Sequence, residues 1–143
     1  MPKIADYYTE IDKQSELYSD FMMNFDIHPN KRDLIRKTNE ESVKRSIRNL
    51  ILTDKFERLM QPRIGGNIRA LLFEPINMMT KVSLQNLIEN TIKTYEPRAI
   101  LPKQDAVIAT PSADEQAYYV RITFGIKTSV DPIVVNIQLN RVR

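Results

Sequence analysis

Thr94-Tyr95-Glu96-Pro97-Arg98-Ala99-Ile100-Leu101 is where the chain changes character. Upstream of it apolar residues recur at helical spacing, and downstream they alternate. Proline cannot continue a helix, because its ring clashes with the preceding turn and it has no N–H to donate. It also drives the residue before it toward extended geometry. A helix is therefore expected to end near Tyr95 and a strand to open near Arg98. Two positions apart on an extended segment, Glu96 and Arg98 share one side of it. A carboxylate and a guanidinium at a proline-fixed corner make a polar pair, most simply a salt bridge at the surface or within the fold.

Working back from the corner, Leu84, Leu87, Ile88, Thr91, Ile92 and Tyr95 recur at intervals of three and four. They form the core stripe of the longest helix, expected over residues 75–95 with Pro75 in its first turn. Met78 and Met79 near its start read as packing. Residues 67–75 form a compact apolar block. In the connector 53–66, Thr53-Asp54 can cap a short helical turn that Pro62 stops, and Gly65-Gly66 permits positive φ. Thr38-Asn39-Glu40-Glu41 fits a capping box ahead of a helix that runs to about residue 52. Its stripe is Val43, Ile47, Leu50 and Ile51, while Lys44, Arg45 and Arg48 lie off the stripe and read as a solvated face.

Residues 21–27 read as a short strand or extended entry, followed by a turn at 28–31. Before them, Ile4, Tyr7, Tyr8, Ile11 and Tyr18 fall on one helical face of an arm rich in Asp and Glu. Such an arm either packs on its own domain or docks on a partner.

Beyond the corner, residues 98–101 and 106–109 are short strand candidates, and 110–115 a loop. Tyr118, Val120, Ile122, Phe124 and Ile126 then alternate with more polar neighbours, as do Ile133, Val135, Ile137 and Leu139. These two runs predict an antiparallel hairpin whose apolar face the long helix covers. The fold class is α+β: N-terminal helices and a long central helix packed on a small, mostly antiparallel sheet. The expected organisation is an acidic helical arm over 1–20 and a single domain over 21–143. Asn136, Gln138 and Asn140 face outward on the last strand. No later element is expected to cover that strand, and an uncovered edge invites pairing.

The 143 residues suit one domain, with 42% hydrophobic and 27% charged residues, an ordinary globular composition. With no cysteine and one histidine, His28, neither a disulfide scaffold nor a Cys- or His-rich metal site is available. No cofactor or metal is expected. Net charge is a mild +3, without the concentrated basic stretch of a nucleic-acid binder. No apolar run is long enough for a membrane-spanning helix, and no signal segment or phosphate-cradling glycine loop is visible. Glu57 and Glu74 could serve glycoside hydrolysis by residue type alone, because nothing in the sequence sets their separation or raises a pKa. No catalytic residue is assigned.

The blocks, taken in order, resemble the small baseplate wedge subunit family of contractile injection systems. This is the family of T-even phage gene product twenty-five, also described as lysozyme-like, with relatives in type VI secretion baseplates. The resemblance is carried by Ser46-Ile47-Arg48-Asn49-Leu50-Ile51-Leu52-Thr53, by Glu57-Arg58-Leu59-Met60-Gln61-Pro62-Arg63-Ile64-Gly65, by Leu71-Leu72-Phe73-Glu74-Pro75 and by Glu96-Pro97-Arg98. It covers about residues 25–140. Phe56 departs from the family, which usually has glycine there, and this puts the shape of that turn in question.

The resemblance implies a structural, non-enzymatic protein of the virion tail baseplate, made in the host cytoplasm. It would bind other inner-wedge proteins and the tail-sheath subunit, nucleate the sheath, and engage neither membrane nor nucleic acid. It turns Glu96, Pro97 and Arg98 into an expected protein interface, beside the arm stripe and the outward face of the last strand. The alternatives are a peptidoglycan-degrading, lysozyme-like enzyme and a basic nucleic-acid-binding module.

Overall fold

In a computed structural model the described residues are 18–22, 24–112, 116–127, 129 and 131–140. In chain order the elements are β1 (Ser19–Phe21), β2 (Arg36–Thr38), α1 (Asn39–Leu52), α2 (Ile68–Leu72), α3 (Met78–Tyr95), β3 (Val107–Ser112), β4 (Ala117–Phe124) and β5 (Ile133–Asn140). The fold is α+β, as the change of period implies.

Alternation after the corner becomes a three-stranded antiparallel sheet in the order β3-β4-β5. The predicted hairpin is β4 and β5, registered so that Val120 lies opposite Ile137 and Ile122 opposite Val135. Their inward residues, among them Tyr118, Val120, Ile122, Phe124, Ile133, Ile137 and Leu139, are buried together with Val107 and Ala109 of β3. Val43, Ile47 and Ile51 of α1 and Leu84, Ile88 and Ile92 of α3 close the other side of the same core. Fully burying one such side chain stabilises by about 1.5–3 kcal/mol. The long helix does not cover the hairpin alone: α3 packs on β3, while α1 packs on β5.

Several boundaries differ from expectation for local reasons. The long helix starts at Met78, so Pro75 lies outside it. Asn77 is the better cap, its Oδ1 accepting the Thr80 N–H at 2.7 Å. The apolar block before it contains the five-residue helix α2, too short for its period to declare itself. Residues 98–101 form no strand, only an isolated bridge between Ile100 and Gly125. The expected loop at 110–112 is strand, because β3 is an edge. Thr110 and Ser112 turn their backbone groups to β4, and Pro111 aims its missing N–H away from it.

Thr38 precedes α1 in extended conformation, but its side chain caps nothing. The expected capping box does not form, because Glu41 pairs instead with Lys44 at 3.0 Å and Lys37 at 3.5 Å. Asn39, at φ +45°, donates its N–H to Tyr18 O at 2.8 Å, and its Oδ1 accepts the Tyr18 N–H at 3.3 Å. β1 pairs with β2, so Ser19 and Asp20 are extended and the helix expected over 1–20 does not reach them.

No helix forms in residues 53–66. Consecutive turns run there, closed by Glu57 N–H to Asp54 O at 3.3 Å and Gln61 N–H to Arg58 O at 3.2 Å. Gly65 sits at φ +135°, where a Cβ would lie 2.6 Å from Thr53 O. Phe56 adopts φ +69°, so the turn keeps a glycine-like backbone although the residue is not glycine.

Candidate assembly sites

The corner that organises the sequence also gathers three separate pieces of chain. Glu96 caps the C-terminus of α3, its N–H donating to Ile92 O at 2.9 Å, and the Ala99 N–H closes a turn back on Glu96 O at 3.1 Å. That turn, rather than an extended segment, brings Arg98 onto Glu96. Nε donates to Oε1 at 2.6 Å and Nη2 to Oε2 at 2.8 Å, a bidentate fork. Ser46 of α1 donates its hydroxyl to Glu96 Oε2. The Arg98 guanidinium lies 5.5 Å from the centroid of the Tyr18 ring, a cation–π contact. Tyr18 is thus strapped to Asn39 and stacked against Arg98, and it packs on the core.

The pair lies within the fold: Glu96 is 3% exposed and the Arg98 side chain 31%. Burial pushes the Glu96 carboxyl up. The hydrogen bonds from Arg98 and Ser46, with the Arg98 charge, outweigh it and hold the group below its ordinary value. Hydrogen bonding to Glu96 raises Arg98 in turn, against its own desolvation. Both partners stay charged. Beside them runs an open, polar groove of about 410 Å³, lined by Asp20, Ser46, Asn49, Arg58, Tyr95 and Arg98. Tyr95 fixes one wall by donating its hydroxyl to Arg63 O at 2.7 Å. Pro97 is exposed.

A second feature is the outer edge of β5. Thr123 N–H donates to Ala106 O, and Gly125 exchanges both backbone bonds with Ile100, so odd residues of β4 face β3. Even residues of β4 therefore bond β5, through the pairs Tyr118–Leu139, Val120–Ile137, Ile122–Val135 and Phe124–Ile133. The backbone N–H and C=O groups of Val134, Asn136, Gln138 and Asn140 then point away from β4, and no described strand pairs with them. The side chains of these four residues are exposed on the outer face of the sheet. Asn136 and Gln138 share an open cavity there with Ile108, Tyr119 and Arg121.

The structure therefore gathers Glu96, Arg98 and Tyr18 into one cluster and sets Asn136, Gln138 and Asn140 along one edge. Ile4, Tyr7, Tyr8 and Ile11 lie outside the described residues. Ser46 escaped sequence reasoning, because nothing in its helix marks it as the partner of a carboxylate fifty positions on. Of the carboxylates named for hydrolysis, Glu57 is exposed and accepts the Asp54 N–H at 2.9 Å, and Glu74 is exposed. Glu96, the buried carboxylate among the described residues, is held below its ordinary pKa, whereas a general acid must be raised. His28 is a turn residue whose Nδ1 accepts the Asn30 N–H at 3.2 Å. Among the described residues no cluster of His, Cys, Asp and Glu could hold a metal ion, and no helix is long and apolar enough to cross a membrane.

An antiparallel sheet with an open edge, backed by helices that an inward-turned ion pair ties together, places the molecule among small α+β domains. The family model for baseplate wedge protein gp25 matches residues 37–131. The baseplate wedge protein gp25 of Enterobacteria phage T4 is 31% identical over 119 residues, covering 83% of this chain and 87% of that protein. The chain belongs to the gp25 baseplate wedge family, and its role is that of a structural protein of the phage tail baseplate.

The fold is shared with two solved structures. A provisionally named tail lysozyme of Geobacter sulfurreducens superposes with a TM-score of 0.68 at 24% identity, over 76% of this chain and 96% of that one. A chain of the anti-feeding prophage baseplate superposes with a TM-score of 0.59 at 22% identity, over 88% of this chain and 87% of that one.

Proposed function

We propose that this protein is the inner-wedge subunit on which the tail sheath begins. It joins other wedge proteins through the groove beside Arg98 and the first sheath ring through the edge of β5. One observation carries this reading: β5 leaves the backbone groups of Val134, Asn136, Gln138 and Asn140 unpaired by any described strand. An added strand makes its main-chain hydrogen bonds to such groups, and alternate side chains select the partner. Arg98 in the groove and the exposed Pro97 at the corner make the contact, with Glu96 as the buried anchor that aims Arg98. The segment 1–17 docks on a wedge partner. The protein works without catalysis, in the virion tail baseplate, after assembly in the host cytoplasm, and it engages neither membrane nor nucleic acid.

Baseplates carrying Asn136→Pro and wild-type baseplates are to be supplied with sheath subunit. The substitution removes one outward N–H and no bond to β4, so the expected result is a folded baseplate that fails to start sheath. Normal sheath growth from this variant overturns the β5 reading. The name given to the Geobacter neighbour raises a hydrolase reading for the fold. Purified protein is expected to leave peptidoglycan intact. Cleavage that Glu57→Gln or Glu74→Gln abolishes would overturn the non-catalytic assignment.

A further inference from the structure

The β5 edge is not electrically neutral. Beside Val134 and Val135 the neighbouring wall is built by Lys37, Lys44, Arg45 and Arg48, with Glu41 as the one carboxylate among them. Glu41 is shared between Lys37 and Lys44. Arg45 gives one N–H to the Phe21 carbonyl, a contact that removes no charge. Arg48 has no hydrogen-bond or ion-pair partner among the described residues. It reaches from this wall to the outer sheet cavity, where Arg121 is likewise without such a partner.

At the other end of β5 the lining changes. Leu52, 48% exposed, stands there beside Gln138, Leu139 and Asn140, and Arg69 is neutralised by Asp54 at 3.3 Å. The edge thus runs from a cationic half near Val134 to a neutral, partly apolar half near Asn140.

We infer that the strand which joins β5 carries carboxylates where it passes Lys44 and Arg48 and an apolar side chain where it passes Leu52. This rests on the β5 edge being the joining site and adds the chemistry of the partner. Its physical basis is charge complementarity. A strand beside β5 has alternate side chains turned toward α1, and there they meet guanidinium groups without a carboxylate partner and two ammonium groups that share one. A neutral or basic strand forms the same main-chain bonds but leaves those cations facing an apolar or like-charged neighbour. The row therefore selects partner and direction, and the backbone supplies the attachment.

The test uses whole baseplates and sheath subunit, with sheath initiation rate read at about 0.1 M and about 1 M salt, where the screening length falls from ~10 Å to ~3 Å. Wild-type baseplates are expected to slow with salt. Lys44→Glu with Arg48→Glu is expected to slow initiation about tenfold or more at low salt and to flatten the salt response. Lys44→Arg with Arg48→Lys retains the charge and is expected to retain the rate. Thermal melting of each variant controls for folding.

Asn136→Pro separates the two ideas. If it blocks initiation while the charge reversal behaves as wild type at both salts, the charge inference fails and the edge reading stands. If neither variant changes initiation, both fail. If the reversal leaves initiation unchanged but abolishes binding of a short DNA duplex, the row is a nucleic-acid face and the inference is overturned.

Discussion

The Glu96–Arg98 cluster and the β5 edge are both polar features of one small domain, and they differ in where their hydrogen bonds go. Around Glu96 the fork from Arg98 and the Ser46 hydroxyl take up the carboxylate inside the fold, joining the end of α3 to α1. Along β5 the outward backbone groups are left unused by every described strand. The first arrangement holds elements together, because breaking it strands a buried charge. The second takes no part in the pairing of the described strands, and it is the edge proposed for another chain. The motif therefore sits at the centre of the fold, and in the proposed reading it acts on assembly only through the shape of the groove beside it.

The largest effect is expected on breaking the inward cluster from one side. Arg98→Ala leaves Glu96 buried with Ser46 as its remaining side-chain partner. It should destabilise the domain by about 3 kcal/mol, the low end for a broken buried pair because Arg98 is partly exposed. Glu96→Gln with Arg98→Ala removes the stranded charge and should cost less than Arg98→Ala alone. Urea denaturation of the three proteins measures both. A double variant worse than the single would mean that the Glu96 charge is satisfied without Arg98.

The same cluster sets a pH response. The folded Glu96 carboxyl is held below the ordinary carboxylate value of 4.5. Its contribution is fully present above that value and is lost as pH falls through the folded pKa, because the unfolded chain takes up the proton first. The stability gap between wild type and Glu96→Gln should accordingly be constant near neutrality and shrink as pH falls below about 4.5. Glu41, also held low by its hydrogen bond to Lys44, adds to the acid sensitivity of both proteins and cancels in the difference. A gap that widens in acid would contradict the ionised pair.

The loop beside the groove gives smaller effects of opposite sign. Gly65→Ala puts a methyl 2.6 Å from Thr53 O at a φ of +135° and should destabilise by about 2 kcal/mol. Phe56→Gly relieves a positive φ at a side chain 79% exposed and should stabilise by about 0.5–1 kcal/mol. Thermal melts separate the two. Stabilisation by both would mean that the turn relaxes freely and does not hold the groove wall.

How far these regions were legible in the sequence follows from the range of the interactions. The period-two runs gave the β4–β5 hairpin and its inward face, and helical spacing gave α1 and α3, because each signal is local; the register appears only in the structure. The five residues of α2 carry too few turns to be told from strand. The Glu96–Arg98 pair was legible as a pair, since two positions separate the residues. Its burial was not, because that depends on Ser46 and on a turn made by Pro97. Lys44, Arg45 and Arg48 read as a solvated face, and only the packing of α1 on β5 sets them along an open edge. Which amides of β5 point outward depends on strand order, and no stretch of sequence carries that.

The smallest effect on the fold itself is expected at this edge, and it tests the alternation directly. Asn136 turns its N–H outward, while Ile137 turns its N–H to β4 and its side chain into the core. Proline on an edge strand is tolerated where its missing donor faces solvent, as Pro111 already shows on β3. Asn136→Pro should therefore cost about 1 kcal/mol or less, mainly through the restriction it places on Val135. Ile137→Pro removes a ladder bond and a buried side chain together, and should cost several times more. Hydrogen exchange of the unaltered domain gives the same answer without substitution. Amides of Val134, Asn136 and Gln138 should exchange rapidly, and those of Val135, Ile137 and Leu139 slowly. Uniform protection along β5 would mean that the outward amides are already engaged, and the edge would then have nothing left to offer a sheath strand.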